Sequence, residues 1–180
     1  QTNDASLWAV QSNIPDNFWQ AVTYGNGIFV ALAGEGNASR IMTSQDGITW
    51  LSRTAPVANN WKSVTYGNGL FVAVAVSGTN NRVMTSPDGI TWTARYSAAD
   101  LAWQSVTYGA GLFVAVSDMG GKKNVMTSSD GITWTMRTSP INNTWKSVTY
   151  GNDMFVAVAD SGNGNRVMTS PDGITWTSRT

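Results

Sequence analysis

The chain has 180 residues, of which 42% are hydrophobic, 11% aromatic and only 12% charged, a balance that supports a packed core and excludes an intrinsically disordered chain. Lysine plus arginine equals aspartate plus glutamate at 11 each, with no basic run, so the electrostatic footprint of a nucleic-acid or anionic-membrane binder is missing. Histidine and cysteine are both absent, which removes disulfides, thiol nucleophiles and imidazole acid–base chemistry.

No apolar run approaches the roughly 20 residues that span a bilayer, so no membrane insertion is expected. Polar surface must come from Ser, Thr, Asn and Gly, a composition that points to an extracellular or cell-surface setting. Gln1-Thr2-Asn3-Asp4 reads equally as an ordinary start or as a mature terminus left after removal of a leader.

Along the chain, Ser6 to Gln11 comes first, a segment with the look of a strand. Tryptophans then alternate at intervals of 11 and 31 residues from Trp8 to Trp176, and the motif Ser-X-Asp-Gly-Ile-Thr-Trp recurs every 42 residues, at Ser44–Trp50, Ser86–Trp92, Ser128–Trp134 and Ser170–Trp176. Repeats of this length are supersecondary units that bury their apolar faces only by stacking on one another. The units are 19–60, 61–102, 103–144 and 145–180, within one domain covering 1–180. Residues 6–12 occupy the position of one extra N-terminal outer strand.

The second unit shows the pattern, which is a four-stranded antiparallel meander with no helical periodicity. Trp61–Tyr66 is the inner strand, and Gly67-Asn68-Gly69 follows as a hairpin turn, since Asn-Gly accepts the positive φ of a tight primed turn. Leu70–Val76 is a second strand, apolar almost throughout and thus covered on both faces. A loop from Ser77 to Asn81 leads to the third strand, Arg82–Thr85. The turn Ser86-Pro87-Asp88-Gly89 comes next, and Thr91–Arg95 closes the unit as the outer strand. In the turn, Pro87 presets φ, Gly89 supplies the left-handed residue, and the Asp88 carboxylate accepts otherwise unpaired backbone N–H groups, with Trp92 as an apolar cover.

On these residues the chain resembles the sialidase-type Asp-box β-propeller repeat family. Its box, Ser-X-Asp-X-Gly-X-Thr-Trp, is similar to Ser86-Pro87-Asp88-Gly89-Ile90-Thr91-Trp92, which is one residue shorter between Asp and Gly. The resemblance covers all four units. It implies an all-β propeller of four-stranded antiparallel blades, and it implies that the boxes, with Asp46, Asp88, Asp130 and Asp172 and their partners Trp50, Trp92, Trp134 and Trp176, are structural turns lying away from the central site. The WD40 repeat has a similar period, but its Gly-His and Trp-Asp signatures do not occur here.

Comparison of the units with each other separates fixed from variable loops. The hairpin and Asp-box turns are nearly constant, whereas the loop between second and third strands and the loop between units vary. Alternating strand direction puts both variable sets at one end of the blades, and binding residues in rigid scaffolds concentrate on such loops. The candidate ligand residues are therefore Asn80, Asn81, Lys122, Lys123, Asn163 and Asn165. Drift in loops under no constraint is the alternative.

No catalytic signature is found: no Gly-X-Ser-X-Gly elbow and no phosphate or dinucleotide fingerprint occurs. Arg53, Arg95, Arg137 and Arg179 follow the outer-strand tryptophans by three residues, which places them at the rim in stacking or capping roles. Tyr24, Tyr66, Tyr108 and Tyr150 repeat too regularly for one of them to be a nucleophile. The isolated acids Glu35, Asp118, Asp153 and Asp160 show no spacing that selects a glycosidase pair. Asp160-Ser161-Gly162-Asn163-Gly164-Asn165 has oxygen donors but not the spacing of a calcium loop, so neither metal nor cofactor is expected.

The expected function is a non-catalytic binding or adhesion module with carbohydrate as its ligand. A fragment or relative of a sialidase-like glycoside hydrolase is the second reading, and an amplified or engineered repeat scaffold without a selected ligand the third. Five outer strands for four inner ones leave one strand spare, and an open arc of blades exposes apolar end faces. The expected partner, besides a glycan, is a second copy of the chain, two arcs completing an eight-bladed ring in which the N-terminal strand of each chain competes for the outer slot of the partner's last blade and one of the two strands is displaced. A closed four-bladed monomer and a piece of a longer chain are the alternatives.

Overall fold

A computed structural model describes residues 14–36, 39–119 and 121–180. The described residues form sixteen strands in four separate four-stranded sheets, and among them there is no helix. The first blade is β1 (Trp19–Gly25), β2 (Ile28–Ala33), β3 (Ile41–Ser44) and β4 (Leu51–Arg53); the second is β5 (Trp61–Gly67), β6 (Leu70–Ala75), β7 (Val83–Ser86) and β8 (Thr93–Arg95). The third is β9 (Trp103–Gly109), β10 (Leu112–Ser117), β11 (Val125–Ser128) and β12 (Thr135–Arg137), and the fourth β13 (Trp145–Gly151), β14 (Met154–Ala159), β15 (Val167–Ser170) and β16 (Thr177–Arg179). Within each sheet every strand pairs antiparallel with the next, the meander expected from the turn chemistry. The extra strand expected at residues 6–12 lies outside the described residues.

Local chemistry sets the strand ends. Asn68 (φ 48°) and Gly69 (φ 74°) form a two-residue loop with positive φ at both positions, whose twist matches that of the flanking strands. The outer strand is shorter than expected, Thr93–Arg95 rather than Thr91–Arg95. The reason is that Asp88 holds the N–H groups of Ile90 and Thr91, both at 2.8 Å, and the Trp92 indole donates to Gly89 O at 2.9 Å, so the turn extends through the tryptophan. The rim arginines tie the outer strand to the third: Arg95 Nε donates to Thr85 Oγ1 at 3.0 Å, and Arg53, Arg137 and Arg179 repeat the link.

The core lies between blades. Val30, Leu32 and Ile41 of the first blade meet Trp61, Val64, Phe71, Met84 and Trp92 of the second, and equivalent clusters join the second blade to the third and the third to the fourth. Trp61, Trp103 and Trp145 are all 0% exposed; a fully buried large apolar side chain contributes about 1.5–3 kcal/mol, so stacking of blades dominates stability. A second lock repeats at each junction. Tyr66 lies on Gly25, Tyr108 on Gly67 and Tyr150 on Gly109, so closely that a Cβ on any of these glycines would fall inside the ring. β1 thus packs on β5, β5 on β9 and β9 on β13, which makes these the inner strands; no comparable packing joins β13 to β1.

Candidate functional site

The inner strands contain a feature that the alternation rule does not predict. Trp61 and Val64 both point into the junction with the first blade, yet in a regular strand residues three apart face opposite sides. The register explains it: Trp61 pairs with Ala75 and Ser63 with Val74, leaving Lys62 as an extra residue in a β-bulge. Gln20, Gln104 and Lys146 occupy the same bulge in the other blades. A bulge re-aims one side chain and is favoured beside functional sites. Here it presents four polar side chains, Gln20, Lys62, Gln104 and Lys146, as a belt at the end of the inner strands from which the variable loops emerge.

The belt is internally bonded. Lys62 Nζ donates to Gln20 Oε1 at 2.7 Å, and Asp118 Oδ2 accepts from both Gln104 Nε2 and Lys146 Nζ at 2.7 Å. Lys146 also lies 3.5 Å from Asp160, whose other oxygen accepts from the Thr144 hydroxyl. The hydrogen bond to Asp118 raises the Lys146 ammonium above the ordinary lysine value, and the Thr144 hydroxyl followed by the Lys146 charge lowers Asp160. Lys62 differs, since no carboxylate among the described residues lies within ion-pair distance of it. A depression of about 320 Å³ opens beside it, lined by Phe18, Gln20, Glu35, Asn60, Lys62 and Gln104 among others. Phe18 is 68% exposed there, an aromatic face in water next to amide and ammonium donors.

The six loop residues singled out by variability divide into two sets. Asn81 and Asn165 are tied into the scaffold: the Asn59 amide donates to Asn81 O and Oδ1 at 2.9 and 3.0 Å, and Asn143 donates to Asn165 O at 2.9 Å and to its Oδ1 at 3.4 Å. Asn17 makes the same tie to Ser39 O in the first blade. Asn80, Lys122, Lys123 and Asn163 are exposed; the backbone of Asn80 sits at φ 58° with its N–H bonded to Asp100, and beside it Tyr96 is 77% exposed. These side chains flank the belt rather than form it. Variability points to the same end of the blades as the belt but does not single out Gln20, Lys62, Gln104 and Lys146, whose signal was the three-residue spacing of Trp and Val around them.

The Asp turns lie at the opposite end. In each, the aspartate Oδ1 accepts from the serine hydroxyl and from two successive backbone N–H groups, and the serine oxygen in turn accepts from the glycine N–H, as in Ser86, Asp88 and Gly89. The backbone donors hold Asp46 and Asp130 at about 2, and they also lower Asp88 and Asp172. Among the described residues, no three acidic, histidine or cysteine groups converge as metal ligands would.

No family model matches the chain, and no curated sequence does. Solved structures do. Virginiamycin B lyase from Staphylococcus aureus superposes with a TM-score of 0.78 at 16% identity, over 93% of this chain and 57% of that one. YCF48 from Cyanidioschyzon merolae gives 0.64 at 15% identity, over 91% and 56%. The computationally designed Ika4 protein gives 0.64 at 12% identity, over 88% of this chain and 93% of that one. The chain therefore spans just over half the length of the first two neighbours and almost the whole of the third. At these identities the likeness carries the fold alone, and the fold is that of β-propeller blades.

Proposed function

We propose that the chain is a non-catalytic binding module on a propeller scaffold, that its blades belong to the sialidase Asp-box type, and that its ligand is a carbohydrate held at the belt end. The observation that carries this reading is the exposed Phe18 ring beside Lys62, Asn60, Gln20, Gln104 and Glu35 around one depression. A sugar presents an apolar C–H face and a fringe of hydroxyls, which suits an aromatic platform bordered by amide and ammonium donors and a carboxylate acceptor. Asn80, Lys122, Lys123, Asn163 and Tyr96 extend the polar surface outward from it. The Asp turns serve as folding staples, because Oδ1 of each aspartate accepts three hydrogen bonds from its own turn. Asp118, the most enclosed acid of the belt, is held by Lys146 and Gln104, which suits positioning better than proton transfer.

A glycan array followed by calorimetry tests this reading, with a fluorogenic sialoside assay in parallel. Binding of at least one glycan is expected, with at least tenfold loss in Phe18→Ala and in Lys62→Ala and no hydrolysis. An array with no binder, or binding that survives both substitutions, refutes the site; turnover of the sialoside refutes the non-catalytic role.

A further inference from the structure

The two ends of the arc are unfinished versions of its three internal junctions. On the first blade Val22 is 61% exposed, while its copies Val64, Val106 and Val148 are 7%, 5% and 5%. On the fourth, Val158 is 43% exposed, while its copies Val74 and Val116 are 0%. The same holds for smaller features. Among the described residues Gly151 has nothing within 4 Å of the space a Cβ would take, although Gly25, Gly67 and Gly109 each receive a tyrosine ring there. The first blade's tyrosine, Tyr24, is 58% exposed with no glycine beneath it. Gly89, Gly131 and Gly173 press on the preceding blade, whereas Gly47 meets only Phe29 of its own blade. Ser63 and Ser105 accept from the N–H of Val106 and Val148 at 3.1 Å across junctions; Ser147, their copy in the fourth blade, accepts no such bond among the described residues.

Each vacancy at one end is thus matched by an unused part at the other, and the geometry of their fit is displayed three times inside the chain. We propose that the trailing face of the fourth blade takes the leading face of the first blade of a second copy of this chain, Tyr24 seating on the partner's Gly151 and Val22 on its Val156 and Val158. Such a head-to-tail contact must either close or run on as a filament. Two arcs of four blades make eight, the upper limit of the usual propeller range, and three arcs exceed it, so the ring closes with two copies. The belt supports this order: Gln20, Lys62, Gln104 and Lys146 alternate amide with ammonium, and the partner's Gln20 after Lys146 continues the alternation.

Light scattering on the 180-residue chain at micromolar concentration is the test. The expected mass is twice 19.3 kDa. Gly151→Ala introduces a methyl group that touches nothing among the described residues of its own chain, so it should leave the circular dichroism unchanged and return the mass to that of one chain; Val22→Glu should do the same by placing a carboxylate in the junction. Gly109→Ala, at the equivalent internal position, should instead lower thermal stability. Removal of residues 1–13 should leave the dimer in place. A monomeric parent chain, a dimer retained in either Gly151→Ala or Val22→Glu, or a dimer lost on removing residues 1–13 overturns the proposal, the last of these assigning the face to the N-terminal segment. Glycan binding is read separately, so failure of either reading is distinguishable from failure of the other.

Discussion

Replacement of Asp88 by alanine tests whether the repeated turn is a staple. The carboxylate accepts from the Ser86 hydroxyl at 2.9 Å and from Ile90 N and Thr91 N at 2.8 Å. Hydrogen bonds to a charged acceptor contribute about 1.5–3 kcal/mol each where water is excluded. Ile90 and Thr91 are exposed, however, and water can take over their donors once the carboxylate is gone. The net cost should therefore be that of about one such bond, roughly 1–3 kcal/mol. For a chain of this size that corresponds to a fall in the thermal midpoint of about 2–12 °C. Asp88→Asn keeps one acceptor oxygen without the charge and should fall between parent and alanine variant.

The same bonds set an acid limit. Asp46 and Asp130 sit at about 2, and Asp88 and Asp172 are also lowered, so the stabilisation is present above the unfolded carboxylate value of about 3.9 and is lost as pH falls towards the folded values. Urea midpoints followed by tryptophan fluorescence between about pH 5 and 2 should drop steeply for the parent and less steeply for Asp88→Ala. Unchanged stability in Asp88→Ala together with lost ligand binding would show that the turn is a site and refute the staple.

Two further outcomes follow from the packing and the belt. Trp103→Ala should cost about 3–5 kcal/mol, because the residue is 0% exposed between two blades, and in a Gly151→Ala background Trp19→Ala on the uncovered end should cost clearly less, measured by urea unfolding. Lys146, raised above the ordinary lysine value by Asp118, contributes stability that is present below about pH 10.4 and lost as pH rises through the folded value, so the decline of the urea midpoint above about pH 10.4 should be shallower in Lys146→Met.

How much of this was legible in the sequence depended on whether a residue's role is local. Turns were legible, because Asn-Gly and Ser-Pro-Asp-Gly impose their φ values through their own side chains and neighbours; Asn68 and Gly89 take the expected positive-φ hairpin and left-handed turn roles. The end of the Asp turn was not, because the indole of Trp92 reads as a strand residue until its bond to Gly89 O is seen. The belt was hidden for a different reason. Lys62 looks like the polar member of an alternating strand, and only the need to bury Trp61 and Val64 on one face, at odd separation, forces the bulge that sets it against Gln20 of the first blade. The loop asparagines divide within one loop: Asn81 and Asn165 hold the same place in the closely similar runs Ser77–Arg82 and Ser161–Arg166 and make the same 22-residue tie to Asn59 and Asn143, whereas the neighbouring Asn80 is replaced by Gly164, so variation and structural commitment coexist at adjacent positions.

Repetition also supplies a control that a non-repetitive chain lacks. Exposure of Val22 alone would mean little, since single apolar residues are common on protein surfaces. Its meaning comes from three copies in the same local sequence that are buried by a neighbouring blade. The chemistry of the side chain is constant across the four, so the difference in burial isolates the missing neighbour as the cause. That is why Gly151→Ala is the sharper probe than any change at Val22: among the described residues nothing of the same chain approaches the glycine's Cβ position, and a ring arriving from a second copy is what makes its hydrogen matter.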